Sequence, residues 1–484
     1  MRLILDGKIS KTYVQTLCMM FFHGEKFPEN EENPKGTISV TAVDTELGID
    51  ARCTFTYGEK SASSSDFAPF EEGDSYERTS KCAVGRAVYK AGYELTGKDI
   101  PWGILTGIRP SKVGAELLKL HGREKAKSIL EKKYLLSPQK ANLTLEVAKY
   151  ETEIIEKYGK NTCSLYISIP FCPTRCEYCS FISYATKKLF DLIPAYLEKL
   201  YDDIEQKCKI IKELGLELVS IYIGGGTPTT LNSEQLKALL SRLSSFVDID
   251  SLDEFTVECG RPDTITSEKL SVLEKYGVKR ISVNPQTLND SVLERIGRKH
   301  TVKDFYDAFD LVKLSGFEVV NTDLIAGLDG DSIQSFKSTV DSIIELAPNN
   351  ITVHAFSVKK SARVLENDAE IYNLNGDFAQ NSVDYAYKAL INNGYLPYYM
   401  YRQKNTIGDL ENVGYAKAGT FGVYNVLMMS DAHTVFSAGA GATTKLVKKT
   451  DGKIDIFRIF APKYPYEYLQ DNQNHKDEIV KFFE

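Results

Sequence analysis

The 484-residue sequence has little of what marks a secreted, fibrous or membrane-spanning chain. Its 16 prolines, set beside 43% hydrophobic and 26% charged residues, are too few for a fibrous or disordered class and describe an ordinary folded chain. No run is apolar enough to span a bilayer, and Met1–Lys8 lacks a basic start followed by an apolar stretch and a small-residue cleavage site. A cytoplasmic protein is therefore expected. An excess of basic charge is also missing. The formal net charge of −7 argues against a general affinity for nucleic acid or anionic membrane, so any anionic ligand must be met by locally gathered cations. Paired cysteines are missing too: Cys18, Cys53, Cys82, Cys163, Cys172, Cys176, Cys179, Cys208 and Cys259 are odd in number and scattered, which is no disulfide framework. No internal repeat or low-complexity tract stands out.

The length exceeds what one hydrophobic core usually organises, so two or three domains are expected. Residues 1–160 mix strand-like runs (Arg2–Leu5, Gly36–Val43) with helical ones around the polar stretch Glu25–Lys35, and read as an α+β domain. Residues 161–375 alternate apolar β-rich runs with amphipathic helical stretches, the pattern of a parallel sheet built from βα units. The strand candidates are Ser164–Ile169, Leu218–Ile223, Glu254–Glu258, Arg280–Val283, Phe317–Asp323 and Ile351–His354. Between them the helical periodicity covers Leu189–Leu214, Ser233–Phe246, Ser267–Tyr276, Val302–Leu314 and Ser332–Glu345, with Ser233 and Ser267 as N-caps. The pattern predicts an α/β fold, an incomplete (β/α)6 TIM-like barrel. Residues 376–484, with tyrosines from Tyr395 to Tyr401 and a glycine-rich Ser437–Thr444, are expected to form a mostly helical C-terminal domain. In barrels of this kind the chemistry sits at the C-terminal strand ends.

Four features follow strands directly: a cysteine cluster, a triple glycine, Glu258 and Asp323. In Tyr166-Ile-Ser-Ile-Pro-Phe-Cys172-Pro-Thr-Arg-Cys176-Glu-Tyr-Cys179, three thiols stand at Cys-x3-Cys-x2-Cys spacing in a loop that leaves a strand. Three thiolates can hold three irons of a 4Fe-4S cube and leave the fourth open to an external ligand. S-adenosylmethionine (SAM) fills that position through its amino and carboxylate groups, and an electron passed through the cluster cleaves SAM to a 5'-deoxyadenosyl radical. Zinc would want a fourth Cys or His nearby, and Cys163 and Cys208 lack a pairing spacing. The next strand runs into Gly224-Gly225-Gly226-Thr227-Pro228, where the absence of side chains allows close backbone approach to the methionine amino group of SAM. Glu258, ending the strand after that, is placed to accept hydrogen bonds from ribose hydroxyls.

Together these residues resemble the oxygen-independent coproporphyrinogen III oxidase group of radical SAM proteins, the HemN, HemW and HemZ relatives, over residues 160–445. The motifs are Tyr166 to Cys179, Gly224 to Thr229, Arg280 to Gln286, Arg298 and Thr322 to Gly327. Val257 to Thr264, Thr106 to Pro110 and Tyr401 to Asn405 are most similar to the HemZ branch. The resemblance implies that Tyr166, Gly225 and Glu258 contact the cluster-bound SAM, that Tyr178, Gly226, Thr227, Gln286, Arg298 and Asp323 line the neighbouring pocket, and that Tyr166 and Asp323 serve catalysis. Arg298 also fits a basic helix end shared with Arg295 and Lys299. True oxidases of the group carry a further cysteine two positions after the third ligand, where this chain has Phe181, as the HemW branch does. The implied activity is oxidative decarboxylation of coproporphyrinogen III to protoporphyrinogen IX. The alternatives are a HemW-like haem chaperone and another radical SAM enzyme acting on tetrapyrroles. The substrate's propionates would need cations, for which Arg261, Arg402, Arg109 and Lys404 are candidates. The implied partners are the tetrapyrrole or haem and an electron donor such as flavodoxin or ferredoxin, with no nucleic acid.

Overall fold

The computed structural model describes all residues except 23, 24, 26, 29–33, 160, 180–184, 358–375, 404, 405, 451 and 452. Phe181 and Lys404 therefore lie outside the described residues. The chain divides into two compact units, Met1–Lys149 with a short segment from Tyr401, and the remainder from Tyr150 onward. The division falls at Lys149 where residue 160 was expected, and Asp377–Met400 and Asn405–Glu484 share the second unit with the barrel strands instead of standing apart.

The first unit is built on a four-stranded sheet: β1 (Arg2–Asp6) parallel to β2 (Gly36–Asp44), then β3 (Gly48–Tyr57) and β4 (Lys60–Pro69) as an antiparallel meander. Alternation along β2 and β3 buries Ile38, Val40, Cys53 and Phe55 on one face. The helix Tyr76–Thr96 packs against β3 and β4, starting where the Ser75 hydroxyl accepts the Arg78 N–H and stopping at Gly97, whose φ of 70° is the left-handed end that glycine adopts without a Cβ clash.

The second unit holds an eleven-stranded sheet. Its centre is six parallel strands in sequence order: β5 (Thr162–Ile169), β6 (Glu217–Gly225), β7 (Glu254–Glu258), β8 (Arg280–Ser282), β9 (Val319–Ala326) and β10 (Asn350–Ala355). This is the six-fold βα unit expected, with helices Ile193–Glu213, Ser233–Ser244, Ser267–Lys275, Val302–Lys313 and Ile333–Leu346 between strands. Two caps move by one residue. Asn232, not Ser233, forms a reciprocal capping box with Gln235, and the Thr266 hydroxyl, not that of Ser267, accepts the Lys269 N–H. The larger difference is at the C-terminus, which is not mostly helical. β11 (Leu396–Arg402), β12 (Glu411–Ala416), β13 (Thr434–Ala438), β14 (Thr443–Thr450) and β15 (Lys453–Phe460) all join the sheet. β12 runs antiparallel to β10, and β13 runs parallel to β5; the tyrosines Tyr398 and Tyr399 are buried on β11, next to β12. No described helix is long and apolar enough to cross a membrane.

Candidate active site

The cysteine loop is laced to the end of β6 by backbone hydrogen bonds. Gly226 N–H donates to the Ile169 carbonyl and Thr227 N–H to the Phe171 carbonyl, each at 2.8 Å. A Cβ on Gly226 would lie 2.6 Å from the Phe171 oxygen, so this glycine is what lets the two segments meet. On the other side, Glu177 N–H donates to the Ile296 carbonyl at 3.1 Å and the Thr174 hydroxyl lies 3.4 Å from the Gly297 carbonyl. Held this way, Cys172 and Cys176 are buried and Cys179 is partly exposed. Thr227 Oγ1 lies 3.3 Å from Cys172 Sγ. Burial pushes the Cys172 thiol up to about 11, the Thr227 contact draws it down, Cys179 and Cys176 raise it, and the Arg261 charge lowers it. The three sulfurs thus feel one another, and two guanidiniums attend them. Among the described residues no three His, Cys, Asp or Glu side chains stand close enough to share one ion. The thiolates of a cube each take a different iron and need not. Cys163 and Cys259 are fully buried elsewhere, Cys259 donating weakly to the Val257 carbonyl.

A second cluster of polar groups stands on the inward face of the strands. Tyr222 donates to Glu258 Oε1 at 2.5 Å, and its ring stacks on that of Tyr424 (4.5 Å) with the Tyr166 ring against both (6.2 and 6.3 Å). Burial pushes Glu258 up to about 7; the hydrogen bond from Tyr222 lowers it, the Asp323 charge raises it, and the Gly225 N–H lowers it. Gly225 itself has φ of +105° and packs close to Ser168 and the Tyr166 hydroxyl. Asp323 lies within β9, not at its end, because the strand runs three residues further than its apolar run suggested. Its Oδ2 accepts from Asn284 Nδ2 and its Oδ1 from Asn321 Nδ2, both at 2.8 Å, while His354 Nε2 stands 3.9 Å away. Burial raises this carboxyl, but the hydrogen bond and charge of His354, with bonds from Asn321 and Thr352, bring it below its ordinary range. Gln286 follows the end of β8 with φ of 70°, held there because its N–H donates to the Asp323 carbonyl and its own carbonyl accepts from Ile325 N–H. Its side-chain Oε1 is buried without a hydrogen-bond partner, a vacancy that a ligand N–H or O–H would satisfy.

The expected cations are placed differently from the expectation. Arg298 donates to the Tyr178 hydroxyl at 3.2 Å and to the carbonyls of Asn284 (2.5 Å) and Gly260 (3.4 Å). Arg261 was expected to meet a propionate. Its guanidinium is instead committed to Asp263 through two bonds (3.1 and 3.2 Å), to the Thr174 hydroxyl (2.9 Å) and toward Cys176 Sγ (3.9 Å). Arg402 and Arg109 fall in the first unit. There Arg402 lies over the Trp102 ring at 5.1 Å and donates to the Leu105 carbonyl, and Arg109 precedes the helix Pro110–His121. Tyr222, Asn284, Asn321 and His354 were not singled out beforehand. The signal was present: in a strand every second residue shares a face, and Tyr222 with Gly224, Asn321 with Asp323 and Thr352 with His354 are such pairs.

Residues 166–343 match the model of the radical SAM superfamily. The chain is 37% identical over 393 residues, 80% of its own length and 78% of the relative's, to the "Oxygen-independent coproporphyrinogen-III oxidase-like protein HemZ" of Bacillus subtilis (strain 168). It is 38% identical over 192 residues, covering 40% of this chain and 48% of the relative, to the "Heme chaperone HemW" of Lactococcus lactis subsp. lactis (strain IL1403). The structure of the coproporphyrinogen III oxidase HemN from Escherichia coli aligns with a TM-score of 0.48 and 21% identity, covering 61% of this chain and 67% of that one. A strand-end thiol triad on six parallel strands, with the family match, makes this a radical SAM protein, whose cofactors are a 4Fe-4S cluster and SAM. Within that superfamily the chain belongs to the oxygen-independent coproporphyrinogen-III oxidase-like family of HemZ.

Proposed function

We propose that the chain catalyses oxygen-independent oxidative decarboxylation of two propionates of coproporphyrinogen III, giving protoporphyrinogen IX. The observation that carries this reading is the pair Glu258 and Asp323, preorganised on the strand rim that also bears Cys172, Cys176, Cys179 and the unpartnered Gln286 oxygen. Holding two half-buried carboxylates among hydroxyl and amide donors costs desolvation free energy, which a ligand rich in hydroxyl and amino groups offsets. The HemZ alignment supports the substrate: at 80% of the chain it is too long to lie wholly after Lys149, so it extends into the first unit.

Cys172, Cys176 and Cys179 would hold the cluster. When bound, the cluster and SAM would supply the one-electron chemistry needed for hydrogen abstraction at a propionate β-carbon. The residues then have separable tasks. Glu258, steadied by Tyr222 and Gly225, accepts from ribose hydroxyls, and Gln286 and Asp323 accept from a second ribose or adenine group. The tyrosines 166, 222 and 424 form a stacked wall that keeps water from the radical. Each vinyl group is completed when the substrate loses carbon dioxide and passes one electron to an external one-electron acceptor.

The test is anaerobic incubation of the reconstituted chain with SAM, a low-potential reductant and coproporphyrinogen III, followed by mass analysis of tetrapyrroles and nucleosides. Protoporphyrinogen IX with 5'-deoxyadenosine is expected. Tight haem binding, slow 5'-deoxyadenosine release and untouched coproporphyrinogen would replace this reading with that of a haem chaperone.

A further inference from the structure

A buried guanidinium is aimed at one sulfur of the cysteine loop. Arg261, with a side chain 3% exposed, points Nη1 at Cys176 Sγ from 3.9 Å. Arg261 cannot easily swing away, since Thr174 in the cysteine loop receives the same Nη1 and Asp263 fixes the rest of the fork. Asp263 is 26% exposed and stands two residues along the chain, in the turn that follows β7. The contact is therefore built from three directions and is not a chance approach of two side chains.

We propose that Arg261 is a positioning residue for electron entry: with Asp263 as its counter-ion, it sets the reduction potential of the cluster through its contact with Cys176. The inference rests on Cys172, Cys176 and Cys179 being the cluster's ligands. Reduction moves one electron from an external low-potential donor onto the cube. No bond breaks and no proton moves, and the cube with its thiolates becomes one unit more negative. A guanidinium beside a thiolate stabilises that state by its charge and by a hydrogen bond to sulfur, both of which tune iron-sulfur potentials. Burial strengthens the effect by lowering the local dielectric. Asp263 acts in the opposite sense, holding the fork in place while cancelling part of its charge.

The opposed signs make the test. The full-length chain is reconstituted anaerobically, its iron is counted, and the cluster is titrated potentiometrically with electron paramagnetic resonance as the readout. Arg261→Gln should shift the reduction equilibrium about tenfold toward the oxidised cluster, about 59 mV more negative for a one-electron couple. Asp263→Asn should move the potential the other way, and Arg261→Lys should fall between wild type and Arg261→Gln. Unchanged potentials in the first two variants, or shifts of the same sign, overturn the inference. If Arg261→Gln does not retain iron, Asp263→Asn decides alone: a positive shift supports the assignment and a zero or negative one ends it. A wild type that takes up no cluster would instead defeat the ligand assignment itself.

Discussion

Glu258 and Asp323 sit on strands with one strand between them, yet their neighbours hold them to different acidities. Glu258 has one strong donor in Tyr222 and feels the charge of Asp323, so its carboxyl is pushed up to about 7. Asp323 is surrounded by Asn284, Asn321, Thr352 and His354, which favour its anion. A carboxyl raised from its ordinary value binds protons more tightly in the folded chain than in the unfolded one. Its contribution to stability is complete at acid pH and is lost as pH rises toward 7. In SAM-free protein, Glu258→Gln should therefore raise the thermal midpoint relative to wild type more at pH 8 than at pH 5. An equal difference at both values would show that Glu258 titrates normally. Tyr222→Phe removes the hydroxyl that steadies the carboxylate and should weaken SAM binding by about 1 kcal/mol, roughly fivefold, in a calorimetric titration of the reconstituted chain. Gln286 belongs to the same scale. Its positive φ is set by two backbone bonds to β9 that join residues nearly forty apart, so nothing adjacent in sequence announced it.

At the scale of elements, the cysteine loop depends on a strand it does not belong to. Gly226→Ala would place a methyl 2.6 Å from one carbonyl and 2.8 Å from another, forcing the Phe171 segment outward. A loss of about 1–3 kcal/mol is expected from such overpacking, seen as a lower thermal midpoint together with reduced iron uptake. Cys176→Ser should leave the fold near its wild-type midpoint yet reduce iron and sulfide to background. The central strands were legible because each is a short apolar run followed by a helical period, a pattern written locally in the chain. Their inward polar residues were legible in principle from the two-residue repeat, but only the carboxylates drew notice. Asn284 and His354 look unremarkable until the parallel register brings them beside Asp323. The caps moved by one residue because Asn and Ser, or Thr and Ser, adjoin at both helix starts, and the side chain three before the donor N–H wins.

For the whole second unit, the strands after residue 395 had no local signature of their partners. β13 pairs with β5, more than 260 residues earlier, and β12 with β10. A five- or six-residue strand such as Thr-Val-Phe-Ser-Ala carries too little pattern to reveal such a neighbour. The same long-range closure is braced by Glu254, whose Oε2 accepts from Val423 N–H at 2.6 Å, and by Arg280, which donates to the Thr420 carbonyl at 2.7 Å. Both side chains are buried. Glu254→Ala should cost about 3 kcal/mol by leaving Arg280 and the Val423 N–H short of partners, and adding Arg280→Met should recover part of it. Denaturant titration of the single and double variants checks this.

The position of β5 has one more consequence. It is the eighth of eleven strands, with β6 on one edge and β13 on the other, so the strand that launches the cysteine loop has no free edge from which to peel. Loss of the cluster would leave that mounting paired on both sides. Reloading the site then means refilling a socket whose supporting strand is already paired, not refolding it.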